Sequence, residues 1–305
     1  MSTLPMVAII ILNWRQSELT LACLESVKCL TYNSKRLQIV VVDNASKDGS
    51  VEAIRDAYPG VTVIENPDNL GYAGGNNVGI RWALSNGATY ILILNNDTIL
   101  DPGLLNRLIV VMEDDKAIGI TGPLIFHAED PGVIQSAGGR LDKKWRGWHE
   151  GENERDEGQY DTCRQVEWLS GCALLARVEA VRQAGTFDER FFSYWEDVDW
   201  CLRISQAGWQ VLNVPSAKIW HKGVQRNYQP KAYVTYYMTR NKLLTLKKHH
   251  APVLVWLFTL FGMFKTIISW SVKSRWGSKI SHRNAMLRGM TDFFMSRWGR
   301  AELSE

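Results

Sequence analysis

Residues 90–98 read Tyr90-Ile91-Leu92-Ile93-Leu94-Asn95-Asn96-Asp97-Thr98. Five apolar or aromatic side chains follow one another without alternation, and then the chain turns polar at once. An amphipathic helix would space its apolar positions three and four apart, and a half-exposed strand would alternate. An unbroken run this short therefore predicts a strand buried on both faces. The same grammar recurs at residues 7–12 (Val-Ala-Ile-Ile-Ile-Leu, then Asn13-Trp14), at 38–42 (then Asp43 to Ser50) and at 61–65. Helical patterns fall between these runs, near residues 17–29, 50–58 and 73–86. Such alternation predicts an α/β fold: a Rossmann-like, mostly parallel sheet with helices on both faces. Ligands of these sheets bind beyond the carboxyl ends of the strands.

Those ends are polar and crowded. Asn13, the Asp43-Asn44 pair and the Asn95-Asn96-Asp97 triplet close three of the runs, and the remaining one leads into residues 66–79. There, Gly71, Gly74, Gly75 and Gly79 sit among Asn69, Asn76 and Asn77. Together these residues describe a cleft of nucleotide size. The glycine stretch is not G-x-G-x-x-G, which weakens an NAD-dependent oxidoreductase reading. Glycines ahead of a helix still let a ligand approach the backbone, and a helix N-terminus favours phosphate; a packing turn explains them as well. An ionised Asp43 can accept the N3–H of uracil or thymine, or cap the turn that follows it. Asp48 reads as a cap. Asp97 differs, because Asp101-Pro102 already supplies the start of the next helix. That leaves Asp97 available to hold Mg2+ or Mn2+ while the metal keeps water and diphosphate oxygens.

The block from Phe191 to Arg203 carries Glu196, Asp197 and Asp199. Asp199 and Arg203 are four apart on a helix starting near Glu196 and can pair on its surface. Glu196 and Asp197 follow Tyr194 and Trp195, where partial desolvation would raise a carboxylate pKa and make a better base. Acidic residues also suit a first helical turn for the sake of the dipole. His221 ends a later apolar run, and its value depends on whether Asp97 lies nearby in space. Residues 172–178, 209–214 and 218–220 read as further strands, and 141–165 as an exposed loop. The five cysteines have no C-x-x-C spacing, so reduced thiols are expected rather than disulfides or zinc. No signal peptide is read at the start.

The 305 residues are 46% hydrophobic and 22% charged, ordinary globular values that exclude disordered, collagen-like and coiled-coil chains. The net charge of +3 hides an asymmetry: residues 1–230 hold 22 Lys+Arg against 29 Asp+Glu, and residues 231–305 hold 13 against 3. The expected division is a catalytic and ligand-binding domain at 1–230 and a basic, aromatic-rich helical segment at 231–305. In that segment, residues 251–264 lack charge before Lys265 interrupts, short of the ~20 apolar residues of a spanning helix. An interfacial or re-entrant helix fits better, with Trp256, Trp270, Trp276 and Trp298 at headgroup depth. Lys247, Lys248, Lys273, Arg275, Lys279 and Arg283 would then attract an anionic membrane surface. The alternative is a helical subdomain packed on the body or on a second copy as a homodimer. No nucleic acid partner is expected, because the tail is too apolar for a solvated basic arm.

Residues 7–14, 40–50, 69–79, 94–98, 168–176, 187–203 and His221 resemble the family 2 inverting glycosyltransferases of GT-A fold. The Asn69-x-Gly-Tyr-x-x-Gly-Asn-Asn77 stretch, the Tyr194-Trp-Glu-Asp-Val-Asp-x-Cys-x-Arg203 block and Tyr237-Met-Thr-Arg-Asn241 resemble the bacterial rhamnosyltransferase subgroup. The resemblance implies that Asp43 contacts the nucleobase, with Asn13, Asn44, Gly71, Gly74, Asn77 and Asn96 also binding the donor. It implies that Asp97 is the metal-binding acid of an Asp-x-Asp motif whose first position is Asn95 here. His221 would be the second ligand of the Mg2+ or Mn2+, and Asp197 the general base, with Glu196 as its catalytic neighbour. The implied donor is dTDP-rhamnose, with a UDP-sugar as the alternative because thymine and uracil present the same N3–H. The implied acceptor is a polyprenyl-diphosphate-linked glycan at the cytoplasmic face of the plasma membrane, the protein being peripheral or monotopic. A non-catalytic membrane-associated scaffold that retains the nucleotide cleft is the rival from another class.

Overall fold

The apolar run that begins at Val7 forms β1 (Val7–Asn13) and feeds both faces of the sheet: Val7, Ile9 and Ile11 enter one apolar layer, Ala8 and Ile10 the other. The computed structural model describes residues 4–223 and 229–301. From β1 the chain passes through α1 (Ser17–Lys28), β2 (Leu37–Asp43), α2 (Ser50–Ala57), β3 (Thr62–Glu65), α3 (Gly71–Ser85) and β4 (Tyr90–Asn95). A short β5 (Thr98–Leu100), α4 (Leu104–Asp114) and the fully buried β6 (Ile118–His127) come next. They lead to β7 (Ile134–Ser136), a hairpin of β8 (Gly139–Leu141) and β9 (Gly147–His149), and β10 (Arg164–Gln165). After these come β11 (Ala173–Arg177), α5 (Val178–Ala184), α6 (Glu196–Gln206) and β12 (Gln210–His221). The helices α7 (Ala232–Lys248), α8 (Val253–Val272) and α9 (Ile280–Phe294) close the described chain.

The main sheet has the order β10-β12-β6-β11-β4-β1-β2-β3. Strands β3, β2, β1 and β4 pair in parallel, and β12 runs parallel to β6. Between these two groups β11 is reversed, bonding antiparallel to both β4 and β6. The fold is thus the mostly parallel α/β sheet read from the sequence, with one inverted central strand. That inversion matters for function. It brings the start of β11, not its end, to the edge where β4 and β12 finish, and Asn95 N–H donates to the Cys172 carbonyl at 2.9 Å.

Several local expectations are corrected. Helix α3 starts at Gly71, so the glycine stretch lies inside the helix rather than ahead of it. A Cβ on Gly75 would collide with Leu12, and one on Gly79 with Ile10, so these glycines let α3 lie close on β1. The two runs at 209–214 and 218–220 are one strand, β12, with a register irregularity between Val214 and Lys218 where Pro215 stands. Residues 141–165 are not a plain loop, because β9 and β10 fall within them. Strand β6 escaped the sequence reading because Gly119, Thr121, Gly122 and Pro123 break its apolar run.

The change in composition at 230 is no break in the core. Leu243 and Leu244 of α7, Met263 and Ile267 of α8, and Met290 and Phe293 of α9 share one apolar cluster with Ala8 and Ile10. Asp199, fully buried, adds a polar clamp. Its Oδ2 accepts from Arg203 Nε and Lys248 Nζ at 2.9 Å each, and its Oδ1 from His249 Nε2 at 2.9 Å. The sequence predicted the first of these bonds; the other two come from the end of α7. Helix α8 is unbroken over 20 residues, long and apolar enough to cross a bilayer by length and composition. Its Val255, Met263 and Ile267 are buried, while Val253, Leu254, Leu257, Phe261, Phe264, Ile268 and Val272 are exposed.

Burial would raise the Asp199 pKa, but its bonds to His249, Arg203 and Lys248 outweigh that and hold it below the usual aspartate value. A depressed carboxylate pKa stabilises the fold above the unfolded-state value and loses that effect as pH falls through the folded one. Asp199→Ala leaves the Lys248 ammonium and Arg203 guanidinium without this counter-charge, which is expected to cost about 3–5 kcal/mol. Urea unfolding at neutral pH checks this, and the difference from wild type should shrink toward strongly acidic pH.

Candidate active site

Strands β1 and β2 end in register, with Asn13 beside Asp43. Asn13 Nδ2 donates to Asp43 Oδ1 at 2.7 Å, Thr20 Oγ1 donates to Asn13 Oδ1 at 2.7 Å, and Asn96 Nδ2 donates to Thr20 Oγ1 at 3.0 Å. This chain of bonds ties the ends of β1, β2 and β4 together. Asp43 also organises the turn after it, accepting the Ser46 N–H at Oδ2 (2.9 Å) and the Ser46 hydroxyl at Oδ1 (2.5 Å). It borders an open cleft of about 490 Å³ whose walls include Ala45, Lys47, Asn66 and Pro67. The two readings of Asp43 are therefore compatible, since turn-making leaves acceptor capacity at Oδ2. Asp48 accepts the Ser50 N–H at 3.1 Å at the start of α2, as a cap does.

Four other candidates act as framework. Asn44 Oδ1 accepts from Asn66 Nδ2 and Leu70 N at 3.0 Å each, and its Nδ2 donates to Asn69 Oδ1 (2.9 Å) and the Gly71 carbonyl (3.0 Å). Its amide is fully used within the protein. Asn77 bonds the backbone of Phe187 through both its amide nitrogen (2.9 Å) and oxygen (3.0 Å). A Cβ on Gly71, whose φ is +73°, would lie 2.5 Å from Phe192, and one on Gly74 would lie 2.8 Å from Leu70 Cβ. These residues tie the start of α3 to the end of β2 and to residues 187–192.

Asp97 occupies the turn between β4 and β5, and β5 pairs antiparallel with the end of β12 so that Thr98 faces His221. This pairing brings together two residues far apart in sequence: His221 Nε2 lies 3.1 Å from Asp97 Oδ1. Gln135 of β7 completes the arrangement, its Oε1 lying 3.0 Å from His221 Nδ1. With Nδ1–H donating to Gln135, a neutral ring presents its Nε2 lone pair to a carboxylate. Two electron-rich atoms at that distance call for a proton or a cation between them. Burial opposes a proton on His221, yet the Cys172 sulfur and Asp97 outweigh it and raise the pKa well above the usual imidazole value.

A divalent cation fits the same position. Among the described residues Asp97 Oδ1 is buried with His221 as its one neighbour able to share a proton, and a Cβ on Gly223 would run into Asp97 Oδ2, so the glycine keeps the space over the pair open. Among the described residues no group of three or more His, Cys, Asp or Glu is placed to hold a metal. A two-ligand site matches an ion that retains water and substrate phosphate oxygens. Asn95 stands beside the pair, its Nδ2 at 3.5 Å from His221 Nε2.

Glu196 and Asp197 open α6. The approach to them is strained, with Phe192, Tyr194 and Trp195 at φ of 65°, 70° and 73°. Helix α7 holds this approach in place. Arg240 Nη2 donates to the Arg190 and Phe191 carbonyls at 3.0 Å each, and Asn241 Nδ2 to those of Phe191, Ser193 and Tyr194 at 2.8 Å each. Asp197 then accepts the Val198 N–H at Oδ1 (2.8 Å) and the Gly171 N–H at Oδ2 (2.9 Å). Burial outweighs these bonds and raises its pKa. Glu196 is buried with Oε2 unpartnered; burial, reinforced by the Asp197 charge, pushes its pKa well up.

The metal-like pair and the acidic pair meet through residues 171–172. Gly171 N–H bonds Asp197, its carbonyl accepts the Tyr72 hydroxyl at 2.5 Å, and Cys172 interacts with His221 through its thiol. Tyr72 is half-buried within range of Glu196, Asp197 and Asp97 alike, and its phenol pKa is raised, first by desolvation and then by those acids. Sequence reasoning missed Gln135, Gly171, Tyr72 and the purpose of Arg240 and Asn241. Tyr72, Gly171, Arg240 and Asn241 stand inside the segments that carry the resemblance; Gln135 does not.

An acid whose folded pKa is raised destabilises the fold above its unfolded value, because ionisation then favours the unfolded chain. Glu196→Gln is therefore expected to raise Tm at neutral pH. The gain should vanish below the ordinary glutamate pKa, where both states are protonated. Thermal melts across pH 4 to 8 check the sign, at roughly that titration range.

A family model described as glycosyl transferase family 2 matches residues 7–182. The N-acetylglucosaminyl-diphospho-decaprenol L-rhamnosyltransferase of Mycobacterium tuberculosis is 28% identical over 278 residues, covering 83% of this chain and 84% of its own. The dTDP-rhamnosyl transferase RfbF of Shigella flexneri is 27% identical over 225 residues, covering 71% and 73%. Among solved structures, the mannosyltransferase PcManGT from Pyrobaculum calidifontis in complex with GDP-Man and Mn2+ superposes with a TM-score of 0.61 at 13% identity. That match covers 97% of this chain and 89% of PcManGT. A buried acidic pair opposite a carboxylate–histidine pair, on this sheet and with these relatives, leads to one conclusion: the chain belongs to glycosyl transferase family 2.

Proposed function

We propose that this glycosyltransferase moves L-rhamnose from dTDP-rhamnose, with inversion, onto a polyprenyl-diphosphate-linked glycan at the cytoplasmic face of the plasma membrane. The observation that supports the reading is the link at residues 171–172: the Gly171 N–H bonds Asp197, and the next residue, Cys172, interacts with His221 of the Asp97–His221 pair. An inverting transfer needs those two functions apart: a base on the acceptor side and charge neutralisation on the leaving diphosphate. Asp43 accepts the base N3–H at the far end of the cleft, while Asn13 and Asn96 fix the strand ends around it. Asp97 and His221 hold Mg2+ or Mn2+, which when bound supplies the positive charge that stabilises the departing diphosphate. Asp197 takes the proton from the acceptor hydroxyl. Its raised pKa strengthens it as a base, and Glu196 keeps its own proton beside it and avoids a second buried charge.

The rhamnose donor is supported by two relatives named as rhamnosyltransferases, the lipid-linked acceptor by the name of one of them, and the metal by the Mn2+ in the PcManGT complex. A UDP-sugar is the second reading, favoured by the fact that Asp43 offers the same acceptor to uracil and thymine. Transfer from a panel of dTDP- and UDP-sugars to a synthetic prenyl-diphosphate glycan, with the product anomer read by NMR, tests the whole assignment. Asp197→Asn is expected to lose about 10²–10⁴-fold in kcat with nucleotide affinity retained; near-normal turnover would remove it as the base. EDTA is expected to abolish transfer, with Mg2+ or Mn2+ restoring it in wild type and far less in Asp97→Asn. Full activity in chelator would end the metal role.

A further inference from the structure

Lys242 follows Arg240 and Asn241 on α7, and unlike the lysine six residues later it has no acid of its own. Lys248 bonds Asp188 and Asp199. The Lys242 ammonium is half-buried and lies 5.9 Å from the ring centroid of Trp195. Among the described residues no carboxylate pairs with it. Asp142, the acid that faces it, is held by Arg146 Nε at 2.6 Å and by the N–H groups of Lys144 and Arg146. Burial lowers the Lys242 pKa, and the Asp142 charge, already engaged by Arg146, offsets this only in part. Trp195 adds a second unmet donor, since its ring is buried and Nε1 has no partner among the described residues. Trp195 immediately precedes Glu196 and Asp197, so both donors stand next to the acidic pair.

The surroundings connect this place to an apolar surface. Asp142 and Arg146 belong to the β8–β9 turn, and the same turn sets Lys144 Nζ 4.5 Å from the Phe258 ring of α8. Trp145 of that turn packs on Leu246, Ala251 and Val255 where α7 passes into α8. From there the exposed side chains of Leu254, Leu257, Phe258 and Phe261 continue along α8. A ligand with an anionic head and a hydrocarbon tail matches both halves of this surface: a charge-assisted bond at the head and contact area for the tail.

We propose that Lys242, with the Trp195 Nε1–H, is a subsite for the diphosphate of the acceptor, whose prenyl chain lies on the outward face of α8. The inference rests on the lipid-linked-acceptor reading and goes beyond it by naming the residues that recognise the head group. The test compares two acceptors with the same sugar and alkyl length, one joined through a diphosphate and one a neutral glycoside. Lys242→Met is expected to raise KM for the diphosphate acceptor on the order of tenfold or more, and to erase the preference over the neutral one. Lys242→Arg keeps the cation and should retain most of that preference. Binding of farnesyl diphosphate to the full chain without donor should weaken in parallel.

An equal loss on both acceptors would make Lys242 a structural support of the base loop and overturn the subsite. So would an unchanged KM for the diphosphate acceptor in Lys242→Met, with the lipid-linked reading left standing. A wild-type enzyme that transfers only to acceptors lacking a lipid diphosphate would overturn that reading, and the subsite with it.

Discussion

The guanidinium of Arg240 and the amide of Asn241 hold the backbone carbonyls of residues 190, 191, 193 and 194, and the approach to Glu196 and Asp197 depends on that grip. A segment with three non-glycine residues in the left-handed region carries about 1–3 kcal/mol of strain at each, and it persists only where the surroundings over-determine it. Its carbonyls point away from any ladder, and buried carbonyls need donors. Arg240 is itself almost completely buried, so its charge is tolerable only because those carbonyls, the Gly299 carbonyl and the Tyr236 hydroxyl surround it. The position of Asp197, the proposed base, is thereby set from the basic C-terminal segment, not from the strand ends that border the cleft at Asp43.

Electrostatics in the site follow from burial more than from formal charge. Glu196 and Asp197 are neighbours in a space with little water, which is why both pKa values rise and why only one of the pair gains two backbone N–H bonds. Across the bridge, Asp97 and His221 meet at an edge that the inverted strand β11 closes. Had β11 run with its neighbours, residues 171–172 would lie at the opposite end of the sheet. The two halves of the chemistry would then have had no common support.

Much of this was legible in the sequence, for identifiable reasons. The unbroken runs of β1, β2 and β4 announced two-sided burial, and the helix from Glu196 with its Asp199–Arg203 pair followed from spacing alone. The sequence singles out Asp97 because Asp101-Pro102 reads as the start of the next helix; in the structure α4 begins at Leu104 after an N-cap at Gly103, and Asp101 accepts the Gly103 N–H in the turn before it. What local pattern could not reveal was anything that depends on contact between distant segments. His221 acquires meaning only when β12 pairs with β5, Gln135 only when β7 folds beside it, and Lys248 and His249 only when α7 docks on Asp199. The glycines of α3 looked like a ligand-facing loop because close helix packing and close ligand approach ask for the same missing side chain.

The ladders around His221 have a further consequence. Its backbone is paired on one side with Thr98 of β5 and on the other with His127 of β6. A residue fixed from both sides has little freedom left to lose when a charged group arrives, so the cost of assembling this corner falls on folding rather than on binding. The corner is in that sense preorganised: a charged group would meet a polarity already set in place.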